Sequence, residues 1–323
     1  MEYPRPKVVV SRCIEFDSVR WNGQIVRSEF VRKLIPHVDT VTVCPEVEIG
    51  LGVPRDTLRV VRVGEELRIM QPASGRDYTE EMLSFTEDFL SNLGEVDGFI
   101  LKGRSPTSGL MGVKIYPAVR DAPAMGRGAG VFGGEVKRRF GHLALEEEGR
   151  LNNSRIREHF LTKLFTMSRF RAVKSSNSMK ELVQFHTENK LLLMAYNQER
   201  MRILGRIVAN PDKRPFGELI RDYEEHLVGA FSKASRYTSN INVLMHGLGY
   251  FSDELSSNEK AFFLDSLERY RSGSIPLSVP LNIIRSLIVR FQEDYLVQQT
   301  FFEPYPEGLM EITDSGKGRD TDV

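Results

Sequence analysis

The sequence predicts an α/β domain built on a parallel sheet over residues 1–150, followed by an all-α domain over residues 151–303. Three observations carry this. At 323 residues the chain exceeds the usual ~100–200 residues of one domain. Short apolar β-type runs alternate with helical patterns up to about residue 150, the signature of parallel strands joined by right-handed crossovers. From Ser154 onward the pattern is helical throughout.

Residues 7–12 read as a buried strand, Glu29–Val38 as a short helix with Phe30, Val31 and Leu34 at helical spacing, and Thr40–Val43 as the next strand. Leu58–Met70, around Gly64-Glu65-Glu66, reads as a small hairpin. Thr79 caps a helix over Glu80–Leu93, with Met82, Leu83, Phe85, Phe89 and Leu90 on its inner side. Gly98–Lys102 is a further strand, Ala129–Phe140 a helix and His142–Leu145 one more strand, completing a Rossmann-like domain. The glycines of Gly126–Gly130 lack the preceding strand and the full spacing of a dinucleotide-binding loop and read as a flexible turn.

In the second half, Arg155–Val173 is a basic amphipathic helix. Ser178 and Glu181 form a capping box that opens a long helix to about Ala209. Phe216–Ala234, Ser257–Arg271 and Pro280–Phe301 are further helices, and residues 304–323 read as a disordered tail.

Forty-four basic residues balance forty-four acidic ones, but unevenly. Residues 151–240 hold 16 Lys and Arg against 9 Asp and Glu, whereas residues 241–323 hold 7 against 13. A basic excess of that kind offers a face to an anionic partner or a solvated helical surface. No apolar run approaches the ~20 residues that span a membrane. The first residues lack the regions of a signal peptide, and two cysteines fit a reducing compartment, so the expected location is cytoplasmic.

The two cysteines locate the chemistry. Cys13 ends the first apolar run and Cys44 the second, with Pro45 and Glu46 directly after it. The strand at Gly98–Lys102 delivers Ser105, Pro106, Thr107, Ser108 and Gly109 in the same way. Ligands of an open parallel sheet bind beyond the carboxyl ends of its strands, so these three turns should converge on one site. Free cysteines are commonly just small buried residues, whereas thiolates are soft ligands suited to zinc, copper(I) or iron–sulfur clusters. His159, His186, His226 and His246 form no metal-binding pattern and read as structural.

Ser11-Arg12-Cys13, Val19–Gly23, Cys44-Pro45-Glu46, Gly75-Arg76-Asp77 and Ser105–Gly109 together resemble the thiouracil desulfidase family. Glu148–Leu151 followed by Arg155–Phe160 resembles the junction to a YbgA-like helical domain, an arrangement similar to desulfidases of 4-thiouridine in tRNA. The resemblance implies a 4Fe-4S cluster held by three cysteines, with one iron open to the substrate's sulfur. Two of the ligands match Cys13 and Cys44, and the third falls at Ser108, a harder donor. It further implies that Glu46 is the acid/base that activates water against the thiocarbonyl carbon, and that Ser105 assists proton transfer or holds the substrate. Arg155, Arg157, Lys163, Arg169, Arg171 and Lys174 face one acid, Glu158, and are the expected phosphate contacts for tRNA. Phe160, Phe165 and Phe170, interleaved with them, read as core. The expected activity is therefore iron–sulfur-dependent removal of sulfur from 4-thiouridine in tRNA. The alternatives are an RNA-binding protein with a degenerate cluster site and a desulfidase of free thiouracil.

Overall fold

The computed structural model describes residues 3–310. These divide into two compact units, residues 5–160 and residues 161–310 together with 3–4.

The first unit runs β1 (Lys7–Ser11), α1 (Glu29–Leu34), β2 (Asp39–Val43), α2 (Pro45–Glu48), β3 (Arg59–Val63), β4 (Glu66–Met70), α3 (Thr79–Asn92), β5 (Gly98–Leu101), β6 (Val113–Tyr116), β7 (Gly126–Gly128), α4 (Val131–Phe140) and β8 (Ala144–Glu147). A parallel sheet has the order β2-β1-β5-β8, with Val8 opposite Thr40 on one side and Gly98 on the other. β1 and β5 are its centre. Val8, Val9, Val10, Phe99, Ile100 and Leu101 are fully or almost fully buried, as continuous apolar runs in a doubly covered sheet should be. This is the α/β architecture that the alternating pattern predicts.

A second sheet, β4-β3-β6-β7, is absent from the sequence reading apart from its β3–β4 hairpin. β3 runs parallel to β6, and β6 antiparallel to β7. Gly126–Gly128 is thus an edge strand and not a flexible turn. Its glycines have poor strand propensity, so no local signal marks it; pairing with Val113 and Ile115 decides its shape.

α3 starts at Thr79 itself. The Asp77 carboxylate accepts from the Thr79 amide at 2.9 Å, while the Thr79 hydroxyl accepts from the Ile69 amide at 2.9 Å. Leu83, expected inside, is exposed.

α5 spans Ser154–Ser176. The helices that follow it are α6 (Met179–Glu188), α7 (Lys190–Tyr196), α8 (Gln198–Ala209), α9 (Phe216–Ala230), α10 (Tyr237–Gly249), α11 (Ser257–Arg271), α12 (Ser278–Phe291) and α13 (Asp294–Val297). Ser178 does cap, accepting from the Glu181 amide. The single helix expected over 178–209 is instead three. The break at Asn189 is stabilised by Gln299, whose side chain accepts from the Leu191 amide at 3.0 Å and donates to the Thr187 carbonyl at 2.8 Å. The break at Asn197 arises because its side chain caps α8, accepting from the Arg200 amide. α10, with two Asn and two Gly among its residues, carries weak helix propensity and is not foreseen. The helix expected over 280–301 ends at Phe291, where Gln292 turns left-handed.

Residues 304–310 pack rather than trail: Tyr305 and Leu309 are buried. The rest of the expected tail, 311–323, lies outside the described residues. Among the described residues no helix is long and apolar enough to cross a membrane.

Candidate active site

Three strand ends of the parallel sheet open onto one cavity of about 340 Å³, lined among others by Ser11, Cys13, Cys44, Glu46, Ser105 and Ser108. β1 brings Ser11 and Cys13, β2 brings Cys44 and Glu46, and β5 brings the 105–109 turn. Cys44 is the N-cap of α2 and Pro45 its first residue, where a missing amide proton costs nothing. Glu46 therefore stands in the first helical turn, a favourable place for an anion.

The Glu46 carboxylate is gripped from two sides. Its Oε1 accepts from the Thr107 hydroxyl at 2.6 Å and from the Ser105 hydroxyl at 3.4 Å. Its Oε2 lies 3.5 Å from the Cys44 thiol and 3.8 Å from the Arg55 guanidinium. Ser105 Oγ also accepts from the amides of Thr107 at 3.3 Å and Ser108 at 3.2 Å, which folds the turn around it. On the strand side, Ser11 Oγ accepts from the Lys102 amide at 2.9 Å. Lys102 pairs with Glu148, whose other oxygen accepts from the Gly103 amide at 2.7 Å.

The turn is shaped from behind by α4. A Cβ on Gly130 would overlap the Thr107 carbonyl, and one on Gly133 would overlap the Gly109 carbonyl. Only glycine lets that helix approach so closely. The Glu147 carboxylate accepts from the Leu110 amide at 2.9 Å and the Met111 amide at 3.1 Å, fixing the chain as it leaves.

Both thiols are buried and free. Burial, then the Glu46 charge, pushes Cys13 up to about 12 and Cys44 up to about 11. Without a metal both stay protonated at neutral pH, so a soft cation would have to displace their protons. Ser108 is buried and lines the same cavity, its hydroxyl 3.5 Å from that of Thr107. The donors present for a cluster are therefore two thiols and one alcohol, not three thiols. Among the described residues no group of three or more His, Cys, Asp or Glu gathers as a metal site. The donor set does not fit the three-thiolate cluster that the sequence resemblance implies, because a neutral hydroxyl is a poor iron ligand.

Thr107 and Arg55 are the residues that sequence reading missed. Thr107 sits inside the recognised turn, and only the geometry shows that it holds Glu46 more closely than Ser105 does. Arg55 lies in a segment without any pattern.

The six basic residues of the helical region are placed differently from one another. Arg157 is buried, donating to the Leu151 carbonyl at 3.0 Å with its guanidinium 5.9 Å from the Phe30 ring centre. Lys163 is buried as well, and burial lowers it to about 8. Arg169 pairs with Glu188, and Lys174 with Glu224 at 3.1 Å. Arg155 and Arg171 are half-buried. The side chains thus do not form one open basic stripe. Of the histidines, His186 meets the Tyr223 hydroxyl at 3.1 Å and His226 meets Arg200, both structural contacts.

Comparison with known proteins follows the same division of the chain. Residues 8–148 match the family described as 2-thiouracil desulfurase, and residues 190–306 match one described as a protein of unknown function, DUF1722. The uncharacterized protein YbgA of Escherichia coli (strain K12) is 27% identical over 158 residues, 48% of this chain and 94% of its own length. The uncharacterized protein YbbK of Bacillus subtilis (strain 168) is 31% identical over 109 residues, 32% of this chain and 72% of that protein. A solved structure named as the 4Fe-4S-dependent thiouracil desulfidase TudS is 28% identical, covering 46% of this chain and 93% of that one with a TM-score of 0.35. The N-terminal domain, residues 8–148, belongs to the 2-thiouracil desulfurase family, and a region similar to YbgA follows it.

Proposed function

We propose that this chain hydrolyses the thiocarbonyl of a thiolated pyrimidine, and that the pyrimidine is 4-thiouridine in tRNA. One observation carries the chemistry: a carboxylate, Glu46, aligned by two hydroxyls and a guanidinium at the wall of a cavity the size of a small ligand. Glu46 takes a proton from water as the water oxygen bonds to the thiocarbonyl carbon. As the adduct collapses, the carbon–sulfur bond breaks, Glu46 returns its proton to the departing sulfur and the hydroxyl proton follows, so that hydrogen sulfide leaves, a carbonyl remains and the carboxylate is restored. The thiocarbonyl and one water become a carbonyl and one hydrogen sulfide, with no oxidant or reductant. Thr107 and Ser105 hold the carboxylate, and Arg55 balances its charge before it takes the proton. The basic excess over residues 151–240 supports a polyanionic substrate, with the cytoplasm, where both thiols stay reduced, as the location.

The test is loss of the thiocarbonyl absorbance and release of sulfide from 4-thiouridine-containing tRNA and from free 2-thiouracil, under anaerobic conditions. Sulfide release that disappears in Glu46→Gln is the expected result. Unchanged release in Glu46→Gln would remove Glu46 from the reaction. Ser108 favours a second reading, a tRNA-binding protein that has kept the pocket but lost the chemistry. Tight binding of tRNA with no sulfide from either substrate would establish it.

A further inference from the structure

The mouth of the cavity is built differently from its floor. Glu46, Arg55 and Lys102 are already engaged in ion pairs. Arg20 and Arg104 line the same cavity, and neither makes a side-chain hydrogen bond or an ion pair among the described residues. Asp56 is the counterweight there, an exposed carboxylate likewise without an ion pair among the described residues, so the unengaged rim charges sum to positive. Beside Arg20, Trp21 lines the cavity and is 47% exposed.

The backbone that carries Arg20 and Trp21 is fixed by hydrogen bonds. The Gly23 amide donates to the Arg20 carbonyl at 2.9 Å, and the Arg55 amide donates to the Trp21 carbonyl at 2.7 Å. Arg55 Nη1 also donates to the Val19 carbonyl at 2.9 Å. The residue that balances Glu46 thus anchors the loop that presents Arg20 and Trp21. Arg104 stands in a left-handed conformation, φ 60°, which disfavours a side-chain-bearing residue. It lines both this cavity and a second one of about 530 Å³ that also includes Arg150, Asn152 and Asn153.

We propose that Trp21, Arg20 and Arg104 form a lip that binds the nucleotides flanking the reacting base, which makes the substrate a thiolated pyrimidine within an RNA strand. The inference rests on the desulfidase reading and adds the residues that select a polynucleotide over the free base. A cavity of this volume lies at the small end of ligand pockets, so one base enters and its neighbours stay outside. Enzymes acting on a base inside a strand extrude it in this way. An exposed indole offers a stacking face that tolerates any neighbouring base, and free guanidiniums suit phosphates, arginine being able to fork two bonds to one group. A free thiobase has no use for any of the three. The lip also supplies, within residues 5–160, the phosphate contacts that the α5 cations, largely buried or paired, do not present as one face.

Trp21 is the sole tryptophan of the chain, so fluorescence excited at wavelengths that the ten tyrosines do not absorb reports on the lip. The probes are a single-stranded uridine-containing RNA decamer, free uracil and polyglutamate. The expected result is saturable quenching by the decamer, with none from uracil or polyglutamate. Anisotropy of a labelled decamer then measures affinity independently of the indole. Trp21→Ala should weaken binding roughly tenfold and Trp21→Phe much less. Arg20→Ala and Arg104→Ala should each weaken binding and reduce the slope of log affinity against log salt by about 0.7. Decamer affinity unchanged in all three alanine variants would overturn the lip, as would equal quenching by polyglutamate. Turnover of free 2-thiouracil without decamer binding would overturn the lip and leave the desulfidase reading standing. Decamer binding that follows the expected pattern, with no sulfide from any thiobase, would support the lip and sink the desulfidase.

Discussion

Thr107 Oγ1 donates to Glu46 Oε1 at 2.6 Å, joining the turn after β5 to the first residues of α2. The bond spans 61 residues of chain and fixes which way the carboxylate points. Hydrogen bonds to charged groups contribute about 1.5–3 kcal/mol. Thr107→Val should therefore lower kcat by ten- to a hundredfold with little change in KM, and Thr107→Ser should restore most of it. A Val variant as fast as the parent would leave Glu46 positioned by Ser105 and Arg55 alone.

Ser108→Cys completes the set of three thiols. After anaerobic reconstitution the variant should retain more iron and acid-labile sulfide than the parent, measured by elemental analysis and visible absorbance. Equal retention in the two proteins would mean that a hydroxyl, or another group, serves as well as a thiol.

The closeness of α4 to the 105–109 turn makes a sharp contrast between glycines. Gly133→Ala places a methyl against the Gly109 carbonyl, whereas Gly149 has open space around it. Overpacking of this kind costs about 1–3 kcal/mol, which lowers the melting temperature by several degrees in a domain of this size. Gly149→Ala should melt with the parent. Calorimetry on both variants decides it, and two equal melting temperatures would show that the helix can back away.

Acid should weaken the helical region through His186. Burial, and secondarily Lys190, lowers this histidine from 6.5 to about 4, and the Tyr223 hydroxyl is its hydrogen-bond partner. Below pH 6.5 the unfolded chain binds a proton that the folded one refuses down to about 4, so stability falls as pH falls across that window. Urea melts at pH 7 and pH 5 should show a smaller loss in His186→Gln than in the parent. An identical loss would assign the acid sensitivity to other groups.

Lys163 acts in the same sense at higher pH. Its amine is lowered from 10.5 to about 8 by burial, so the folded chain is penalised at pH 7 and regains stability between about 8 and 10.5. Lys163→Met, an unbranched apolar side chain one atom shorter and without the charge, should raise stability at pH 7. A destabilised Met variant would reveal a contact for the ammonium that burial alone does not describe.

The elements that position the site were legible because they are continuous apolar runs. Val8–Val10 and Phe99–Leu101 bury every side chain, and a run of that kind at the heart of a parallel sheet announces itself. Cys13, Cys44, Glu46, Ser105 and Ser108 followed, since each sits just past such a run. What was not legible depends on partners distant in sequence. Gly126–Gly128 becomes a strand only because β6 is beside it, and Asn189 breaks a helix only because Gln299, far along the chain, satisfies the freed backbone groups. Arg55 could not be found from its neighbours either, because its role is set by Glu46, Val19 and Trp21. Charge counting read Arg157 and Lys163 as a surface, whereas both are buried.

The glycine-backed turn has one more consequence. Because Gly130 and Gly133 set the path of the backbone from Thr107 to Gly109, position 108 is a socket whose shape does not depend on what its side chain carries. Its chemistry then rests on a single atom, oxygen in this chain and sulfur in the three-cysteine pattern. Thiol and carboxylate at Cys44 and Glu46 share one short helix start, whereas the third donor stands on a separate turn and can be exchanged alone. The donor atom at position 108 and the pocket around it are thereby separable, and oxygen and sulfur there differ by one substitution.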